Sequence, residues 1–535
     1  MKTMINSIIL ASCLALPLAS CSDSDAAPEQ KDWSTTTYFN SSDAAAQDTY
    51  YKPAVGYVGD PMPFFDPVAG DFKVLYLQDF RPNPEGTYHP IWGVSTKDAA
   101  HYTALGELVS CGTLKSQDAA IGTGSTIYDE ASKLYYTFYT GNKYKPTGDE
   151  SAQVVMVATS ADFKTWTKDR TFLIKGQDFG YDKNDFRDPF VFKGDDGKFH
   201  MLVSTKKGGK GSLAEFVSDD LKNWTDNGVF MTMMWDRFYE CPDLFKMGDY
   251  WYLVYSELHH AVRRVQYFKG RTLDELKACT ANDAGRWPDA HEGFLDSRGL
   301  YAGKTASDGT NRYLWGWCPT RSGKDNTAVG ASPAEPEWAG NLVCYKLIQH
   351  EDGTLTLGQV DAVSEKYNQD VAVEVKESQN MTEADGTYTL AGNGEQPDAY
   401  MLMGRLGSHN KISFTVTTSN KWDKFGISMV RGSDSKKYYT MVVNPEDENN
   451  RKVNFEEQGV EGKGFIAGID GYVFARPADN VYNVTIYTDN SICVMYINDV
   501  CSYTNRIYGI QKNCWSINSY NGANVKISNL KISQY

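Results

Sequence analysis

The sequence predicts an all-β protein, a five-bladed β-propeller followed by a C-terminal β-sandwich. A repeat predicts the first part. An apolar, β-rich run returns five times between residues 72 and 317: Phe72 to Gln78, Leu134 to Thr140, Phe199 to Ser204, Tyr250 to Ser256 and Tyr313 to Trp317. The spacing, roughly 50 to 65 residues, is that of propeller blades. Four of the runs are followed by a Ser/Thr strand end and an acidic turn. These are Ser95-Thr96-Lys97-Asp98, Ser160-Ala161-Asp162, Ser218-Asp219-Asp220 and Thr272-Leu273-Asp274. A plain sandwich needs no such period. From about residue 370 the pattern changes to short alternating strands, such as Lys411 to Val416, Asn483 to Tyr487 and Val525 to Leu530, which predict the sandwich. Glu446 to Arg451 reads as one of its exposed loops. Gly194-Asp195-Asp196-Gly197 reads as a hairpin turn, and Gly208 to Ser212 as a flexible loop.

The expected boundaries are a leader at 1–21, a linker at 22–48, the propeller at 49–362 and the sandwich at 370–535. In the leader Lys2 precedes an apolar stretch from Ile8 to Leu18, and Leu18-Ala19-Ser20-Cys21 resembles a bacterial lipoprotein box. That resemblance implies lipidation of Cys21 and a cell-envelope location, with the outer membrane as a partner through the lipid. The acidic tract Ser22-Asp23-Ser24-Asp25 reads as a surface-export tag or as a plain solvated linker. Of ten cysteines, Cys13 and Cys21 belong to the leader and eight are scattered without metal-site spacing. They read as mostly buried thiols, and Cys493 and Cys501 lie close enough for a hairpin bridge. A net charge of −15 with no basic cluster argues against a nucleic-acid partner.

Three acidic phrases precede apolar runs at what reads as the same phase of the repeat: Gly59-Asp60-Pro61, Arg187-Asp188-Pro189 and Tyr239-Glu240-Cys241-Pro242. First strands of blades line the central channel, so acids at one phase converge at one mouth of the axis. Singly, each acid reads as well as a strand-ending turn. Together they supply what glycoside hydrolysis needs, a proton donor and a second carboxylate that attacks or activates water. Phe238, Tyr239, Leu244 and Phe245 around Glu240 predict an apolar setting that keeps a general acid protonated. Asp60 has little competing charge, which suits an ionised nucleophile, and Arg187 is expected to keep Asp188 ionised.

The ordered set Asp60-Pro61, Leu75 to Gln78, His89 to Gly93, Thr123 to Ser125, Tyr139 to Asn142, Phe186 to Pro189, Glu240 to Phe245 and Leu300 to Lys304 resembles glycoside hydrolase family 32. That family contains invertases, levanases and inulinases. The resemblance covers roughly residues 55 to 360, and the tail is similar to the family's C-terminal sandwich. It implies a retaining β-fructosidase acting on levan, inulin or fructo-oligosaccharides, with Asp60 as nucleophile, Glu240 as acid/base and Asp188 as transition-state stabiliser. Gln78, Trp92, Thr123 and Arg187 match positions lining the fructosyl pocket, and Trp317 reads as an aromatic wall or as core. No metal or cofactor is implied. The first motif departs from the pattern: Gly59 replaces an asparagine, and Met62-Pro63-Phe64-Phe65 replace the residues after Asp-Pro. Gly122 stands where an aromatic is common. A glycosidase for another furanoside or pyranoside, and a glycan-binding lipoprotein without turnover, remain as alternatives.

Overall fold

The computed structural model describes residues 49–80, 88–233, 238–257, 264–279, 292–321, 336–429, 438–444, 452–458, 472–474, 476–511 and 513–535. The predicted leader, Cys21, the linker and the 446–451 loop lie outside them. Among the described residues, strands from 57 to 358 form five successive four-stranded antiparallel meanders, here blades 1 to 5. Their first strands are Tyr57–Asp66, Ala120–Asp129, Phe186–Lys193, Tyr239–Met247 and Tyr301–Ser307. Each first strand packs against the next, and that of blade 5 returns against that of blade 1, so the five enclose an axis. The ring is closed by backbone pairing of Val58 with Gly340 on the third strand of blade 5.

The five apolar runs of the sequence are the second strands of the five blades. Buried on both faces, they lose the alternation of a half-exposed strand and read as continuous hydrophobic stretches. Separate apolar clusters fill the wedges between blades 1 and 2, 2 and 3, and 3 and 4. The acidic turns close the third strands of blades 1 to 3. In each, one aspartate oxygen accepts two successive backbone N–H groups: Asp98 from Ala100 and His101, Asp162 from Lys164 and Thr165, Asp220 from Lys222 and Asn223. In blade 4 the same phrase becomes a one-turn helix, Leu273–Ala278, whose N-cap hydroxyl on Thr272 accepts from the Glu275 N–H.

Gly194 to Gly197 is a hairpin turn as expected, with Gly194 N–H bonded to the Lys198 carbonyl. The Gly208 segment differs from expectation. Gly208 and Gly209, both at positive φ, form a two-residue turn between Lys207 and Lys210, and residues 210–212 begin a strand. Two left-handed positions in a row fit a hairpin, and two glycines adopt them without strain.

Among the described residues the C-terminal part is two packed sheets of eight and seven strands around one apolar core. It is bolted to the propeller through polar groups and a shared cluster in which Tyr487, Ile492, Val494 and Tyr496 join residues of blades 1, 4 and 5. Fully buried Arg506 donates to the carbonyls of Cys318 and Pro319 and to Asn341 Oδ1. Buried Asp296 accepts from the backbone and hydroxyl of Thr504 and from Ser502. Cys493 and Cys501 are separate buried thiols, so the conceivable bridge is absent. Their partners across the hairpin are Asn505 and Ile497, not each other. Among the described residues no helix is long and apolar enough to cross a membrane.

Candidate active site

All five inner strands break their ladder at the same level. Register slips at Gly59/Met62, Gly122/Gly124, Arg187/Phe190, Glu240/Asp243 and Tyr301/Lys304 leave one or two residues unpaired. The expelled residues are Asp60-Pro61, Thr123, Asp188-Pro189, Cys241-Pro242 and Ala302-Gly303. Proline costs nothing there, because the ladder bond it cannot make is already broken. Asp60, Asp188, Cys241 and Ala302 all take positive φ, of 29°, 57°, 52° and 52°. A bulge with a residue in that region turns its side chain away from the strand's regular faces.

The phase of the acids is finer than the sequence reading had it. Asp60 and Asp188 occupy the bulge itself, whereas the equivalent position in blade 4 is Cys241. Glu240 stands one residue earlier, in register with Arg187, Gly59 and Tyr301. The prolines give this offset away: the acid is one residue before Pro61 and Pro189 but two before Pro242.

Asp60 is held by two donors. Thr123 Oγ1 bonds its Oδ2 at 2.6 Å and Trp317 Nε1 its Oδ1 at 3.0 Å. Burial raises its pKa, the two hydrogen bonds oppose that, and the charge of Glu240 adds to the rise. Glu240 accepts from Arg187 Nη2 at 2.9 Å and from the Tyr301 hydroxyl at 2.5 Å. Donors surround this carboxylate where the sequence suggested an apolar wall; Phe238 instead lies 3.8 Å beneath the Arg187 guanidinium. Asp188 departs furthest from expectation. Its Oδ2 accepts the Cys241 N–H at 2.9 Å, but burial pushes its pKa up to about 7 against the pull of Arg187, and Glu240 and Asp60 add to the rise. The pull of Arg187, whose nitrogens are bonded to Asp185 and Glu240, is outweighed by that burial.

Hydroxyls stitch the inner strands together. Thr140 accepts from Asp188 N–H and donates to the Thr123 carbonyl, both at 2.9 Å, and Ser125 donates to the Pro189 carbonyl. Thr123, Arg187 and Trp317 are thus gathered on the acids. Trp317 is fully buried, an N–H donor to Asp60 and part of the core at once. Gln78 and Trp92 are not brought into hydrogen bonding with them. Gln78 donates to the Val55 carbonyl, and Trp92 packs its edge on Phe80.

Sequence reasoning missed Tyr301, although it stands in a quoted motif, and Trp338 altogether. Trp338 stacks on His89 at 4.0 Å, and a Cβ on Gly59 would lie 2.2 Å from its ring. That explains the glycine in the first motif: the indole occupies the space of a side chain there. Nothing in the repeat marks Trp338, which lies on the third strand of blade 5, outside the quoted motifs. Among the described residues no cluster of His, Cys, Asp or Glu is arranged to hold a metal ion.

Three carboxylates gathered at one level of a propeller axis form the candidate active site of the chain. Residues 50–360 match the glycosyl hydrolases family 32 N-terminal domain, and residues 353–532 match the GH32, BT1760-like, C-terminal domain. The chain belongs to glycosyl hydrolase family 32. It is 26% identical over 320 residues to an insoluble-isoenzyme β-fructofuranosidase of Arabidopsis thaliana, covering 54% of this chain and 51% of that protein. It is 25% identical over 345 residues to a sucrose-6-phosphate hydrolase of Staphylococcus xylosus, covering 61% and 65%. The chain therefore spans between half and two thirds of these relatives. In fold it is similar to fructan 1-exohydrolase IIa from Cichorium intybus, with TM-score 0.68, 16% identity, and 92% and 97% of the two chains covered. Sucrose-6-phosphate hydrolase from Lactobacillus gasseri gives TM-score 0.66 at 19% identity, covering 92% and 94%.

The raised pKa of Asp188 predicts a stability effect. Unfolded, the carboxyl releases its proton near pH ~4; folded, it keeps it to about pH 7. Between those values the unfolded state binds fewer protons, so stability falls as pH rises, by at most roughly 1.4 kcal/mol per pH unit. Asp188→Asn has no such ionisation. Its Tm relative to the unchanged protein should climb from pH 4 to 7 in thermal melts; a gap constant with pH contradicts the assignment.

Proposed function

We propose that the chain hydrolyses β-fructosidic linkages of levan- or inulin-type fructans or their oligomers with retention of configuration. The observation carrying this reading is the convergence of Asp60 and Glu240 on one axis with different partners. Asp60, oriented by Thr123 and Trp317, attacks the anomeric carbon and forms a fructosyl ester. Glu240 gives its proton to the departing oxygen and then takes one from the water that cleaves the ester. Arg187 and Tyr301 fix the Glu240 carboxyl for both steps. Asp188, neutral below about pH 7, can donate and accept hydrogen bonds to sugar hydroxyls as oxocarbenium character develops.

The names of the relatives support a fructosyl substrate. The Gly59–Trp338 contact favours keeping other furanosides in the substrate panel, since it reshapes the wall beside Asp60. Product analysis on levan, inulin, sucrose and an arabinofuranoside decides the matter. Fructose or fructo-oligosaccharides are expected, the first anomer seen by NMR retaining its configuration. Glu240→Gln should lower the rate about 10²- to 10⁴-fold. Absence of fructosyl products, or an unimpaired Glu240→Gln variant, counts against the proposal.

We also propose, from the Leu18 to Cys21 sequence, an envelope lipoprotein, probed by fatty-acid labelling. Cys21→Ala should abolish the label and release the protein from membranes; retained label would refute lipidation at that residue.

A further inference from the structure

The axis holds more carboxylates than the reaction uses. Beyond Asp60, Asp188 and Glu240 lies Asp243, fully buried on the inner strand of blade 4, which accepts from the N–H and hydroxyl of Thr305 at 2.6 Å each. Carboxylates crowded away from water oppose one another's ionisation unless a cation stands among them. Arg187 faces Glu240 and Asp188, and Arg312 acts on Asp243 while donating to Thr305. Asp60 itself is bonded by neutral donors, Thr123 and Trp317, and a cation near it would favour its ionised form.

Lys304 is placed to do so. It follows the blade 5 bulge directly and is 2% exposed. Its Nζ crosses to blade 2 and donates to the Gly124 carbonyl at 2.8 Å, passing 5.2 Å from the Phe190 ring of blade 3. Gly124 follows Thr123, the residue whose hydroxyl holds Asp60. The ammonium thus fixes the backbone beside that donor, and its charge acts on Asp60, Asp188, Asp243 and Cys241. Burial lowers its own pKa while these four groups oppose the loss of its proton. Lysines are almost never this buried without such company.

We propose that Lys304 is a positioning residue of the hydrolytic site: its ammonium pins the Thr123 bulge across the axis and holds Asp60 in the ionised form that attacks the sugar. The inference rests on Asp60 being the nucleophile. Thr123 and Trp317 supply neutral donors to that carboxylate; Lys304 supplies the charge.

The test compares Lys304→Met, Lys304→Gln and Lys304→Arg by the pH profile of kcat/KM on a fructoside. Removing a positive charge raises neighbouring carboxyl pKa values, so the acidic limb should move up by about one pH unit in the Met and Gln variants. kcat should fall at least tenfold with a smaller change in KM, while the Arg variant keeps the limb in place. The Gln variant, which retains an N–H donor, gives the readout if Met at this position does not fold. An unmoved limb in the charge-removing variants, or an equal movement in the Arg variant, overturns the proposal. A wild-type chain without fructosidase activity would instead overturn the functional reading. Carbon-13 titration of the aspartate carboxyls then decides the role of Lys304: higher midpoints without the charge support it, and unchanged midpoints overturn it.

Discussion

The site depends on one backbone constraint, the bulge that interrupts every inner strand at the same level. A regular strand would point alternate side chains into the inter-blade cores, and a carboxylate there would be buried without purpose. The bulge expels Asp60 and Asp188 from that alternation. Non-glycine residues at positive φ cost about 1–3 kcal/mol each, and four inner strands carry one. The strain is sustained by ring closure and by the hydroxyls of Thr140 and Ser125, which bond across blades to the bulged backbones. Local conformation is thereby determined by neighbouring blades more than by the bulged residues themselves.

Electrostatics then separates the acids. Burial opposes ionisation of a carboxyl, and the acids differ in what each one touches. Asp60 has two neutral donors, Glu240 an arginine and a tyrosine, and Asp188 one backbone N–H, and burial pushes the Asp188 pKa up to about 7. The C-terminal sandwich contributes to this arrangement. Arg506 grips the carbonyls of Cys318 and Pro319, the two residues after the tryptophan that donates to Asp60. The two domains are therefore joined directly behind Asp60.

Much of this was legible in the sequence. The second strand of each blade is buried on both faces along most of its length, so five hydrophobic runs announced five meanders, and the Ser/Thr-to-Asp turns marked where third strands end. The three acids could be found from their Pro-flanked phrases. The offset of Glu240 was visible only by aligning the prolines. What could not be read was longer in range: Arg187 turning from its neighbour Asp188 to Glu240, the Tyr301 hydroxyl, and Trp338 filling the space over Gly59. Those contacts join residues about 50 to 280 positions apart, and no local pattern encodes which blade faces which. Gly208-Gly209 was misread for the opposite reason, since a glycine pair serves a loop and a tight hairpin equally well.

The central claim is that Asp60 and Glu240 sit on either side of one glycosidic bond. A crystal structure of the Asp60→Asn variant with a fructo-oligosaccharide bound tests it most directly. The account predicts the residue 60 side chain about 3–3.5 Å from the anomeric carbon and the Glu240 carboxyl on the leaving oxygen, the two side chains about 5–5.5 Å apart. A sugar whose anomeric carbon faces neither residue, or a separation wide enough for an intervening water, would contradict it.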